Sequence, residues 1–150
     1  ADHIRSTAKK EQKDGREVFR KVVNISSISG TSGNAGQINY SSAKASLIGM
    51  TKTMAREWGR FKVNVNCIAY GFISTRLNQA VEGDKPVVQV GEREIPIGVP
   101  AENIKLYESM IPLGRAGTPE EAAGAVYMLC IPESNYISGQ VLLAGGGLIM

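Results

Sequence analysis

Two short apolar runs, Val22–Ser26 and Val63–Ala69, bracket a stretch in which Leu47, Met50, Met54 and Trp58 recur at helical spacing, and this succession leaves the chain few ways to fold. Val22–Ser26, with two Val and one Ile, has the composition of a strand buried on both faces in a parallel sheet, and Val63–Ala69 reads as a second strand. The intervening residues form one apolar stripe on a helix, with Asn39 as its expected cap and Gly59 as its stop. Strand, helix and strand of these lengths imply a right-handed crossover between two parallel strands. The expected fold class is therefore α/β.

The remaining segments fit around that unit. Residues 4–20 mix charge with sparse apolar positions and read as the end of a helix followed by a polar loop through Lys13–Arg16. Ser27 closes the first strand, and Gly30, Gly33 and Gly36 punctuate a loop before the long helix. Thr118-Pro119-Glu120-Glu121 combines a capping box with Pro at the first helical position, starting a helix that reaches about Cys130 and stops before Pro132. Gln140–Ala144 reads as the last strand. From Gly71 to Pro112 the chain is rich in Gly, Pro and charge, with a short extended piece at Pro86–Val90. So long a connection within a compact domain is a functional lid or a disordered segment, and residues 76–111 are assigned as a substrate lid.

Tyr40 and Lys44 stand one turn apart on the same face of the helix. An ammonium that close favours phenolate over phenol. Ser27 adds a hydroxyl able to hydrogen-bond a carbonyl oxygen beside the phenol. The three together can protonate a ketone as it receives hydride, or deprotonate an alcohol as it loses one. Ser26 and Ser29 compete with Ser27 for this role, but strand alternation turns Ser26 to the opposite side. The spacing of Gly30, Gly33 and Gly36 fits neither dinucleotide nor mononucleotide phosphate loops, so these glycines read as turns that let Ser27 and Tyr40 converge.

The residues around the trio carry a resemblance. The N-I-S-S strand end, the Asn34–Gly36–Gln37–Asn39–Tyr40 approach, Y-x-x-x-K, V-N-x-I-A and G-F-I-x-T follow in order, and PLGRAGTPEEAAGAVYMLC and YISGQVLLAGGG come later. Together they resemble the short-chain dehydrogenase/reductase family, especially its members similar to 3-oxoacyl-carrier-protein reductases. The resemblance implies Tyr40 as general acid/base, Ser27 as the group polarising the substrate carbonyl, and Lys44 as the group holding the nicotinamide ribose and lowering the Tyr40 pKa. It also implies that Gly71, Ile73 and Thr75 contact the nicotinamide end of the cofactor, NAD or NADP. Tyr70 departs from the Pro that commonly precedes that glycine.

The family's G-x-x-x-G-x-G loop, its ribose-reading acid, its N-N-A-G segment and its upstream catalytic Asn have no counterpart in this sequence. The resemblance therefore implies the C-terminal half of a Rossmann-like doubly wound parallel sheet, three parallel strands with crossover helices, residues 1–150 being a catalytic half without the nucleotide-binding first half. The implied function is hydride transfer between NAD(P) and a carbonyl/alcohol substrate, an acyl thioester among the candidates. The opposed reading is a non-catalytic remnant acting only through association. A homo-oligomer in the cytoplasm is expected, built partly on the Tyr-bearing helix.

Composition bears on the rivals. The formal charge of +3 comes from residues 1–21, where seven Lys/Arg meet four Asp/Glu; acids interleave the bases without an aromatic platform, which argues against a nucleic-acid partner. No apolar stretch is long enough to span a bilayer, and Ala1–Arg20 lacks the apolar core of a signal peptide. Cys67 and Cys130, far from each other and from a His, read as two buried thiols of a reducing compartment. The single histidine, His3, sits at the start of the sequence without a nearby Ser/Asp pattern, which argues against a Ser-His-Asp hydrolase, and the isolated cysteines argue against a metal pair.

Overall fold

The computed structural model describes residues 2–75, 80–81, 87–96 and 99–148. Helix α1 (Asp2–Lys13) leads into strand β1 (Arg20–Ser27), a short helix α2 (Ile28–Ser32) and the long helix α3 (Ile38–Trp58). Strand β2 (Val63–Tyr70) follows. Four short strands come next, β3 (Ala80–Val81), β4 (Val87–Val90), β5 (Arg93–Pro96) and β6 (Val99–Pro100). Helix α4 (Ala101–Met110), helix α5 (Pro119–Met128) and strand β7 (Val141–Ala144) complete the chain.

The principal sheet has the order β1-β2-β7, with both pairings parallel. This is the three-stranded α/β half-sheet expected from the sequence. Its centre is β2, buried from Val63 through Ala69. Residues two apart on a strand share a face, so β2 serves two cores. Val63 and Val65 pack with Ala8, Phe61, Met54, Ala55 and Trp58, beneath α1 and α3. Ile68 packs with Ala125, Leu129 and Val126 of the α5 region and with Ala144. Full burial of a side chain such as Ile68 stabilises by roughly 1.5–3 kcal/mol.

The two asparagines of the V-N-V-N run face the second core and are buried, with partners from the chain for every side-chain polar atom but Asn64 Oδ1. Asn64 Nδ2 donates to the Asn135 carbonyl at 3.0 Å and Asn66 Nδ2 to that of Ile137 at 2.9 Å. Asn66 Oδ1 accepts the Gln140 N–H at 3.0 Å. These bonds lace the loop before β7 onto β2 and fix the register Cys67↔Val141. A polar group left unmade there would cost about 1–3 kcal/mol.

Several local expectations need correction. The residues after Ser27 form the helical turn α2, because Ser27 caps it by accepting the Ser29 N–H. Helix α3 starts before Asn39, at Ile38, since the Gln37 carbonyl already accepts the Ser41 N–H at 2.8 Å. Met50 leaves the stripe for solvent, and Thr51 is the buried residue of α3. Its hydroxyl accepts from Asn24 Nδ2 at 2.8 Å and donates to the Leu47 carbonyl at 2.7 Å, so the helix meets the strand through a polar contact that hydropathy does not register. Cys67 is buried, but Cys130 is exposed, one residue past the last buried leucine of the α5 region.

Of the assigned lid, residues 76–79, 82–86 and 97–98 lie outside the described ones, as does Pro86 of the extended piece. The rest carries structure that the sequence reading left out. Strands β4 and β5 pair as an antiparallel hairpin around Gly91, β3 pairs with β6, and α4 follows.

The start of α5 is as expected. Thr118 Oγ1 accepts the Glu121 N–H at 3.2 Å while a Glu121 carboxylate oxygen accepts the Thr118 N–H at 2.9 Å. Arg115 grips the same carboxylate through both terminal nitrogens, at 2.8 and 2.6 Å. The guanidinium first, and then the Thr118 N–H, hold the Glu121 carboxyl down at about 2. A carboxylate whose folded pKa is depressed contributes stability that is fully present above its unfolded value and is lost as pH falls through the folded one. Denaturant melts between pH 5 and 2 are therefore expected to show a loss of stability that Glu121→Gln reduces; identical pH profiles for the two proteins would contradict this account.

Candidate active site

The C-terminal ends of β1 and β2 define the site, because α2, the start of α3 and the turn after β2 all leave the sheet there. Ser27 is level with Tyr70 in the ladder. The Ser27 hydroxyl accepts the Ser29 N–H at 3.2 Å and reaches the Tyr70 carbonyl at 3.4 Å, a long contact that leaves it available to a stronger partner. Its two rivals are engaged elsewhere. Ser26 Oγ donates to the Lys44 carbonyl at 2.8 Å, which clamps α3 to the strand end, and Ser29 Oγ lies 3.4 Å from Gln37 Oε1.

Gly30 permits the close approach of α2 to α3. A Cβ at this position would stand 2.7 Å from the Lys44 carbonyl carbon and 2.8 Å from the Ala45 nitrogen. The loop that follows has positive φ at Gly33 and Gly36, conformations that glycine adopts without strain. It delivers the chain to α3 with Tyr40 in the first turn.

Tyr40 is 43% exposed, whereas Ser27 is 8% exposed, so the tyrosine is open to solvent and the serine is covered. The Lys44 Nζ lies 5.7 Å from the centre of the Tyr40 ring, as residues one turn apart should. Its hydrogen bond, however, goes to the Ile25 carbonyl at 3.0 Å. The structure thus brings Tyr40 and Lys44 together and places Ser27 at the adjoining strand end.

The turn carrying Gly71, Ile73 and Thr75 leaves β2 beside this site. Gly71 donates its N–H to the Ala144 carbonyl at 3.0 Å, and a Cβ on it would stand 2.7 Å from Gly145 Cα, so two backbones meet where only glycine fits. Ile73 forms a parallel bridge with Gly117: Ser74 N–H donates to the Gly117 carbonyl at 2.8 Å, and Gly117 N–H to that of Phe72 at 3.0 Å. Tyr70, which replaces a proline of the family pattern, donates its phenol to the Ala122 carbonyl of α5. Burial raises that phenol's pKa. The rigidity lost with the proline ring is replaced by these tethers.

The sequence reading missed the residues that join this turn to the lid. Phe72 stacks on Tyr107 of α4, with ring centres 5.4 Å apart, and packs with Ile28, Ile111 and Leu148. Ile28 adjoins Ser27, so the base of α4 is anchored over the strand end. Aromatic residues on either side of a suspected lid were the available signal. A cavity of about 220 Å³ lies nearby, between Phe72, Leu113, Arg115 and Gly146, and none of Ser27, Tyr40 and Lys44 lines it.

Comparison with known proteins gives the site a context. Residues 5–149 match the family profile described as enoyl-(acyl carrier protein) reductase. The 3-oxoacyl-[acyl-carrier-protein] reductase of Vibrio harveyi is 40% identical over 130 residues, 87% of this chain and 46% of the relative. That of Aquifex aeolicus is 42% identical over 134 residues, 89% of this chain and 46% of the relative. The acetoacetyl-CoA reductase of Rhizobium meliloti is 40% identical over 129 residues, 86% of this chain and 46% of the relative. The chain therefore belongs to the short-chain dehydrogenase/reductase family, and it spans about half the length of the curated relatives it matches.

The Gly30 contact yields a direct test of how the site is assembled. Gly30→Ala must push α2 away from the α3 backbone at Lys44, and overpacking of this kind costs about 1–3 kcal/mol. A lowered denaturation midpoint is expected; an unchanged midpoint would show that the two elements are less tightly opposed than the geometry indicates.

Proposed function

We propose that this member of the short-chain dehydrogenase/reductase family is the catalytic half of an NAD- or NADP-dependent reductase of 3-oxoacyl thioesters. The observation that carries the reading is the placement of Tyr40 and Lys44 one turn apart at the C-terminal edge of a parallel sheet, beside Ser27. Ligands of open α/β sheets bind at that edge. The names of the matched relatives supply the substrate class.

The residues present fit the nicotinamide end of such a cofactor. The Gly71–Gly145 contact keeps the turn free of side-chain bulk where it leaves the sheet, and the Gly117 bridge holds Ile73 in place. In this reading Gly71, Ile73 and Thr75 hold the nicotinamide, and Lys44 holds its ribose. The bound cofactor supplies the hydride that goes to the carbonyl carbon. Ser27 donates a hydrogen bond to the carbonyl oxygen and orients it, and Tyr40 Oη gives that oxygen its proton. Helix α4, anchored by the Phe72–Tyr107 stack, covers the acyl chain.

The first half of the domain, with its phosphate-binding glycine turn, comes from outside residues 1–150. The proposed assembly is a homo-oligomer of completed domains in the cytoplasm, without nucleic-acid or membrane partners; among the described residues no helix is long and apolar enough to cross a membrane.

The 150-residue chain by itself is expected to bind neither NADH nor NADPH at micromolar concentration and to leave an acetoacetyl thioester unreduced, because misplacement by about 1 Å can cost ~100-fold. Joined to a family first half, it is expected to turn the thioester over, and Tyr40→Phe is expected to remove ~10²–10⁴ of that rate with the melting temperature unchanged. Cofactor fluorescence and absorbance at the reduced-nicotinamide band read both. Near-normal turnover in the Phe variant would overturn the assignment, and a completed domain without turnover would favour the reading in which the chain acts only through association.

A further inference from the structure

Between the turn after β2 and the start of α5 lies open space. The cavity of about 220 Å³ is bordered by Phe72 and Ile73 of the turn and by Gly117, Glu121 and Ala122 of the helix start. A void leaves the groups that line it without partners across it, so side-chain packing alone does not set the distance from turn to helix. Two polar ties do. One is the Ile73–Gly117 bridge, with its bonds from Ser74 N–H and Gly117 N–H. The other is Tyr70, the residue before the turn, whose phenol donates to the Ala122 carbonyl. Ala122 stands in the first turn of α5, where its own N–H donates to the Thr118 carbonyl at 3.0 Å and the adjacent Glu121 is gripped by Arg115 and Thr118. The phenol is therefore tied to a fixed point. Its ring packs beside Ile68, Ala125 and Leu129, and burial pushes its pKa up, so the proton that makes the bond is kept across the neutral range.

We propose that Tyr70 is a positioning residue for the cofactor: its phenol ties turn 71–75 to the first turn of α5 and holds it, before any cofactor arrives, in the shape that receives the nicotinamide. A segment already set in its bound shape binds more tightly, because less ordering remains to be done on binding. Tyr70 acts through Gly71, Ile73 and Thr75. A proline ring at position 70 would restrict the chain through φ, and the phenol restricts it through a hydrogen bond instead. The inference rests on the proposed function for what the turn receives, and on geometry alone for the tie.

The tie is read first in the 150-residue chain, without cofactor, by amide exchange followed residue by residue with NMR. Tyr70→Phe deletes the hydroxyl and keeps the ring. It should speed exchange at Gly71, Ser74 and Gly117 about threefold to tenfold, the span of one hydrogen bond, while the amides of residues 63–68 keep their wild-type rates. Unchanged exchange at those three amides overturns the tie. In the domain completed with a family first half, the same variant should raise the KM for whichever of NADH and NADPH the wild type uses about threefold to tenfold, with a smaller fall in kcat. Tyr70→Pro, which restricts φ without a hydroxyl, should bring that KM back towards the wild-type value. A ring with a merely structural role would lower kcat through loss of folded enzyme and leave the cofactor KM alone, and that result overturns the positioning role. So does a proline variant whose KM is raised as much as that of the phenylalanine one. Faster exchange in Tyr70→Phe together with a completed wild type that turns over nothing sinks the proposed function, and the cofactor role of Tyr70 with it, and leaves the tie standing.

Discussion

Helix α3 is held on the sheet at two points by side chains that leave it no freedom to slide. Asn24 of β1 bonds Thr51, and Ser26 bonds the Lys44 carbonyl. Both contacts lie between buried elements, where an unmade hydrogen bond costs about as much as several small apolar contacts contribute. A shift of the helix by one residue would break both at once. The relation between Ser27, Tyr40 and Lys44 therefore follows from the register of α3 on β1, and burial in the same seam raises the Cys67 pKa against the opposing hydrogen bonds of Thr51 and Ser26.

Where local chemistry and tertiary packing agree, the sequence was legible. The Thr118–Glu121 capping box is satisfied within one turn of chain, so its residues alone predict its geometry. Strand β2 is buried on both faces, and its uninterrupted apolar and asparagine run says so. Helix α4 was not legible: its N-cap is Pro100 without a side-chain bond, and it buries no residue, so neither capping nor periodicity marks it. Helix α2 contains Gly30 and short polar residues of low helix propensity, and it forms because it is pressed between Ser27 and α3.

The site residues divide along the same line. The proximity of Tyr40 and Lys44, and the place of Ser27 at the strand end, could be read because their spacing is tied to one strand and one helix turn. Their partners could not, since the Ile25 carbonyl is reached by a side chain 19 positions away, and the Phe72–Tyr107 stack joins segments on either side of the hairpin. Backbone acceptors carry no signature in sequence. That is why a lysine expected to attend the phenol and the cofactor ribose is found bonded to a strand carbonyl.

The two thiols give the molecule an internal gauge. Cys130 lies in solvent, while Cys67 is sealed in the α3 seam with a raised pKa. Thiol reagents act on accessible thiolate, so a first alkylation marks Cys130 at any time, and a second requires α3 to lift from the sheet. The interval between the two modifications is thus a clock for opening of this seam, readable by mass alone, in a chain that carries no introduced probe.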